Sequence, residues 1–163
     1  MPSTYEKIAT HTIPTATASY TFSVIPATYT DLVLVYNGTI TATGMDVRFR
    51  FNGDTGSNYS HTYLGGNGSA ASSGRLANGA YLPSYALVGT SSSPATILFN
   101  IQNYANTTTF KTAIYRTSDA PSEVLSYVGL WRNTAAINSI TIFPNANNLA
   151  VGSTYTLYGI KAA

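Results

Sequence analysis

Met45-Asp46-Val47-Arg48-Phe49-Arg50-Phe51 is the stretch whose reading decides the fold. Successive side chains of an extended strand point to opposite faces. Met45, Val47, Phe49 and Phe51 therefore share one face, and Asp46, Arg48 and Arg50 share the other. That is a half-buried antiparallel strand. Outward from it, similar runs occupy residues 5–12, 18–24, 31–36, 58–64, 95–104, 108–116, 123–132, 138–143 and 154–161. Turn signals separate them: Asn37-Gly38, Asn52-Gly53, Asp119-Ala120-Pro121 and the Asn-rich residues 145–148. Ten short strands at this spacing leave no room for a substantial helix. They predict an all-β chain, an antiparallel two-sheet sandwich of jelly-roll-like character. The segment from Tyr104 reads as a hairpin turn, and residues 95–143 read as a meander.

The pattern fails between residues 65 and 94, where Gly, Ala and Ser enclose a short apolar patch. Loops of that length are uncommon inside a compact domain unless they serve a function or are disordered. Two readings stay open for it: a surface loop with a short extra strand at residues 85–88, or a segment that orders against a neighbouring subunit. With 163 residues the chain reads as one domain, 1–163, with this loop inside it.

Only 9% of the residues are charged, against roughly 25% in ordinary soluble domains, while 44% are hydrophobic. The surface must then be polar without charge, built from Thr, Ser, Asn and the 13 Tyr. With no Cys, disulfides, thiolate metal sites and Cys nucleophiles are excluded. Eight basic and six acidic residues lie scattered singly. Phosphate neutralisation requires a Lys/Arg cluster, so nucleic-acid binding is not expected. The start of the chain has no apolar leader and no long apolar run follows, so neither export nor membrane insertion is expected.

Few residues of the chain offer catalytic or ligand chemistry. His11 and His61 sit in strand-like segments without neighbouring carboxylates, and no Gly-x-Ser-x-Gly elbow exists. Asp46 has Arg48 beside it on the polar face, so ion pairing accounts for it better than a glycosidase pair does. Residues 52–58 space oxygen ligands as a calcium loop does, but offer one carboxylate, Asp54, and no closing Glu. An Asx-rich turn explains the spacing, with Asp54 read as part of a hairpin loop. No catalytic residue, metal or cofactor is expected. Trp131 with Tyr59 and Tyr63 could form a platform for a sugar ring, although aromatic residues in strands are used mostly for cross-strand packing, and Trp131 reads first as an anchor at the core edge.

Four passages carry a resemblance: residues 25–35, residues 50–60, residues 128–142 with Val128-Gly-Leu-Trp-Arg, and the ending 152–163 with Tyr-Thr-Leu-Tyr-Gly-Ile-Lys. Together they resemble the small β-rich virion structural proteins of tailed bacteriophages, particularly aquatic and cyanobacterial ones. The resemblance spans nearly the whole chain and brings no functional residues with it. It implies assembly in the host cytoplasm, release by lysis, and a homo-oligomer, with a trimer favoured. The first expectation is a non-enzymatic capsid decoration (cement) protein bound to the major capsid protein. Its contacts would come from Met1, Pro2, Ser3 and Thr4 and from Arg75, Tyr81 and Tyr85 of the irregular segment. The alternative is a tail-fibre or baseplate module that binds host glycan through Trp131, Tyr59 and Tyr63.

Overall fold

The computed structural model describes residues 4–42, 46–85 and 93–161. Among these there is no helix. Twelve strands follow one another: β1 (Tyr5–Thr12), β2 (Tyr20–Phe22), β3 (Asp31–Gly38), β4 (Val47–Phe51), β5 (Tyr59–Gly66), β6 (Ala71–Gly79), β7 (Leu82–Pro83), β8 (Ala95–Gln102), β9 (Lys111–Asp119), β10 (Glu123–Trp131), β11 (Ile140–Pro144) and β12 (Thr154–Ile160). They form the expected antiparallel sandwich, with sheets of unequal size. One sheet has eight strands in the order β1-β12-β3-β8-β9-β10-β5-β6, and the other has four in the order β2-β11-β4-β7. The two runs of alternating burial in β8 and β9 show the mechanism plainly: every second side chain enters the core and the rest face outward.

Cross-strand register assembles the core. Phe99, Tyr115, Tyr127 and Tyr63 lie directly opposite one another on β8, β9, β10 and β5. Their rings stack at 4.5 Å for Phe99–Tyr115 and 4.5 Å for Tyr115–Tyr127, and continue at 5.5 Å to Tyr63. Such pairs contribute about 0.5–1.5 kcal/mol each beyond their burial. From the smaller sheet, Phe49 closes on Phe99 at 4.6 Å and Phe51 on Trp131 at 5.6 Å. In β4, Val47, Phe49 and Phe51 are buried while Arg48 and Arg50 face outward, as the alternation requires; Met45 lies outside the described residues.

Several sequence expectations need correction. Residues 65–94 are not one long loop: β5 extends to Gly66, β6 covers Ala71–Gly79 and β7 follows. Strand β6 lacks apolar alternation because it is an edge strand exposed on both faces, so no side of it needed to be apolar. Tyr85 belongs to no strand, and residues 86–88 lie outside the described ones. The meander is β8-β9-β10 only, since β11 crosses to the smaller sheet. Asp54 does not sit in a hairpin, because β4 and β5 belong to different sheets. The hairpin expected from Tyr104 is present, joining the antiparallel pair β8 and β9, with Tyr104 itself turned inward. Its ring is fully buried and its hydroxyl donates to the Pro26 carbonyl.

The unequal sheets have a geometric consequence. At about 4.8 Å per strand, eight strands span about 34 Å and four span about 14 Å. The smaller sheet cannot cover the larger one, so both ends of the large sheet overhang. At the β1 end, cover comes from His11 stacked on Tyr20 at 3.9 Å and from the Tyr29 ring lying over Gly159. At the β6 end no described strand covers the inner face, where Leu76 is exposed and Gly74 half-buried.

Candidate interaction surface

The outer face of the eight-stranded sheet departs from the usual polar exterior. Leu64, Leu98, Ile114, Val124 and Val128 all face outward and are between 44% and 67% exposed. Register gathers them on neighbouring strands. Val128 on β10 is opposite Ile114 on β9, Leu64 on β5 is opposite Ser126 on β10, and Leu98 on β8 is opposite Arg116 on β9. Around them stand Thr62, Ser73, Asn100, Thr156 and Tyr158, with Lys7, Asp31, Arg75 and Arg116 as the charged members of the same rows. The result is a broad, low-charge face with a partly apolar centre. Exposed apolar groups gathered in this way mark contact sites more often than scattered ones do.

The second feature is the β6 overhang, where a cleft of about 320 Å³ is lined by His61, Tyr63, Gly74, Arg75, Leu76 and Tyr85. A smaller groove of about 180 Å³ lies between Thr62, Arg75, Thr112, Val128 and Leu130. The cleft walls are set by the core. Tyr115 and Tyr127 donate their hydroxyls to the Pro83 and Ser84 carbonyls at 3.0 and 2.5 Å, and Thr117 donates to Ser84 at 3.0 Å. The Ser84 backbone is bonded in turn to Val47 at 2.8 Å. This clamps the chain just before Tyr85, whose ring stands edge-on to His61 at 5.3 Å and to Tyr63 at 5.7 Å. The Tyr63 ring covers Gly74, where a Cβ would lie 2.6 Å from it. His61 is 3% exposed, and among the described residues its Nδ1 has no hydrogen-bond partner. Burial lowers its pKa from the ordinary 6.5, so the imidazole is neutral at pH 7. Burial likewise raises the Tyr85 phenol.

The residues expected to make contacts divide among several places. Arg75 and Tyr85 meet at this cleft together with Tyr63 from the glycan set. Tyr81 sits elsewhere, on the outer side of the smaller sheet, its ring under the Arg48 guanidinium at 4.2 Å. Thr4 is exposed at the opposite edge, its carbonyl accepting from Lys161 N at 3.1 Å, and Met1, Pro2 and Ser3 lie outside the described residues. Tyr59 and Trp131 are fully buried and cannot stack on a sugar. Their polar atoms explain why they are inside. Trp131 Nε1 donates to Asp54 Oδ2 at 2.7 Å, and the Tyr59 hydroxyl is bonded to the Phe51 backbone.

Asp54 also receives Gly56 N on Oδ1 at 2.8 Å and Asn58 Nδ2 on Oδ2 at 2.9 Å. Desolvation acts to raise its pKa, but the bonds from Asn58, Trp131 and Gly56 outweigh it and hold the carboxyl below its usual value. The loop at residues 52–58 is thus an Asx turn that anchors the tryptophan. Asp46 pairs with Arg48 at 3.0 Å, as the alternation implied. Among the described residues no group of three or more His, Asp or Glu could hold a metal ion. Sequence reading passed over His61 as the centre of the cleft and over the outer apolar side chains. The signal for the latter was present: Leu98, Ile114, Val124 and Val128 stand on the polar phase of their strands. Compared with known proteins, the chain matches no family model, no curated protein and no solved structure.

Proposed function

We propose that this chain is a non-enzymatic structural protein of a bacteriophage virion, which decorates the shell by laying the outer face of its large sheet on the major capsid protein. One observation carries the reading: Leu64, Leu98, Ile114, Val124 and Val128 are gathered on a face with few charges. Such a face associates by apolar burial and neutral hydrogen bonds, which salt screens little. A decorator that binds the assembled lattice and not its free subunits stabilises the shell by mass action, by about 2.7 kcal/mol per site at a hundredfold excess over Kd.

The test is binding of purified protein to undecorated capsids. Ile114→Lys and Val128→Lys place an ammonium in the centre of the contact, and loss of about 1.4 kcal/mol per site already lowers affinity tenfold. We expect at least that loss with an unchanged Tm. Unchanged occupancy, or immunogold labelling confined to the tail tip, overturns the reading.

A second reading, a tail-fibre or baseplate module for host glycan, draws on the β6 cleft alone. Its support is the unpartnered Nδ1 of His61 between tyrosine rings, with Arg75 at the rim. Binding on a glycan array that is lost in Tyr85→Ala would favour it over the first.

A further inference from the structure

We infer that the free edge of β6 pairs with β6 of a second copy of this chain, antiparallel about a two-fold axis at Ser73. The inference stands apart from any role in a virion. The sheet edges differ in what they offer a second strand. β2 and β7 have three and two residues, too few to recruit a strand. β1 carries a bulge between Lys7 and Ala9 and an ion pair of Glu6 with Lys161 at 2.7 Å, both of which discourage edge pairing. β6 has nine residues with no Pro, and its only charge is Arg75. No strand covers its far side among the described residues.

The ladder tells which backbone groups face outward. In an antiparallel pair, residues that exchange hydrogen bonds alternate with residues whose N–H and C=O point away. Asn67 N donates to Ala70 O at 3.2 Å, which fixes the phase at the turn. Continuing along the register, Gly65–Ser72, Tyr63–Gly74 and His61–Leu76 are the bonded pairs. Ala71, Ser73 and Arg75 therefore direct their N–H and C=O to the free edge.

Those three positions are complementary to themselves in one register. With Ser73 opposite its own copy, Ala71 of each chain meets Arg75 of the other, and every outward group finds a partner, giving six hydrogen bonds. The two Arg75 side chains then stand four residues apart along the strands, about 13 Å, beyond the screening length of about 8 Å at physiological salt. An antiparallel register centred on Arg75, or a parallel one in register, sets the two guanidinium groups against each other. Ser72 and Gly74, which meet across the axis on the inner face, are too small to obstruct. The two large sheets become one of sixteen strands, and both His61 clefts flank the new seam.

The experiment uses the absence of Cys from the chain. Bonded antiparallel pairs have Cα atoms about 5.5 Å apart, within disulfide range. Ser73→Cys under oxidised glutathione should give a covalent dimer of twice the 17.3 kDa chain mass, while Ala71→Cys stays monomeric. Analytical ultracentrifugation of the unaltered chain should show dimer growing with concentration. Ser73→Pro should stay at the chain mass with an unchanged circular dichroism spectrum, since the N–H it removes points away from β5. If that variant fails to fold, the cysteine pair still decides. The inference is overturned if Ser73→Cys and Ala71→Cys cross-link equally, if neither does, if folded Ser73→Pro still dimerises, or if the assembly is three chains.

Discussion

Lowering the pH from 8 to 5 should destabilise this protein through His61. The side chain is enclosed by the Tyr85 and Tyr127 rings, with Leu76 opposite on β6 and Arg75 also lining the cleft. Among the described residues no carboxylate lines the cleft to stabilise an imidazolium. Burial lowers the folded-state pKa below the ordinary 6.5. The sign follows directly: below pH 6.5 the unfolded chain takes up a proton that the folded chain refuses, so stability falls as the pH falls. One proton gives a limiting slope of about 1.36 kcal/mol per pH unit, so the loss between pH 6.5 and 5 is bounded at about 2 kcal/mol. For a chain of this length that is a Tm drop of up to about 4–8 °C. Asp54 and Glu6, both held below their usual carboxylate values, titrate under this window. Differential scanning calorimetry across pH 5–8 measures the drop, and His61→Phe, a neutral ring among rings, should abolish it. A flat Tm in the unaltered protein, or the same drop in His61→Phe, refutes the argument.

Asp54→Asn removes the charge that Trp131 Nε1, Gly56 N and Asn58 Nδ2 all donate to. Bonds to a charged acceptor are worth about 1.5–3 kcal/mol, and one is left unmade beside a buried indole, so we expect a loss of about 2–3 kcal/mol in urea unfolding followed by tryptophan fluorescence. Gly159→Ala should cost about 1–3 kcal/mol in the same assay, since its Cβ would sit 2.3 Å from the Tyr29 ring, whose hydroxyl donates to Glu6 and whose backbone N donates to the Tyr104 hydroxyl. Gly74→Ala, whose Cβ would lie 2.6 Å from the Tyr63 ring against 2.3 Å at Gly159, should cost less; equal losses would contradict this account of the two glycines.

Strand identity was legible wherever one face is buried. The alternation in residues 45–51 gave β4, and all ten expected runs contain a strand. Sheet membership was not legible, because it depends on contacts distant in sequence. Asn52-Gly53 carries a hairpin signal and does make a tight turn, with Asn52 and Gly53 both at positive φ and Asp54 N bonded to Phe51 O at 2.9 Å. The Asn52 side chain then bonds Ala136 O at 2.8 Å and Asn138 N at 2.9 Å, which ties the turn to the β10–β11 connection and sends β5 into the other sheet. Trp131 and Tyr59, offered as ligand contacts, failed for a similar reason. Nothing local distinguishes Trp131, whose indole N–H is satisfied by Asp54 seventy-seven residues away, from a tryptophan left free to bind.

The low charge of the chain takes on a more specific meaning from the unequal sheets. A large sheet that overhangs a small one has two uncovered ends, and each must either be protected or be used. At the β1 end the sequence places a bulge, an ion pair and the Tyr29 ring. At the β6 end it places Ala, Ser and Gly, with one arginine that the two-fold register keeps from its own copy. If the scarcity of charge were only a property of the environment, both edges should be equally bare. They are not, since Glu6, Lys7 and Lys161 gather at β1. Charge has been kept where strand pairing must be refused and left out where it can occur, which argues that the exposed β6 edge is a surface used for assembly.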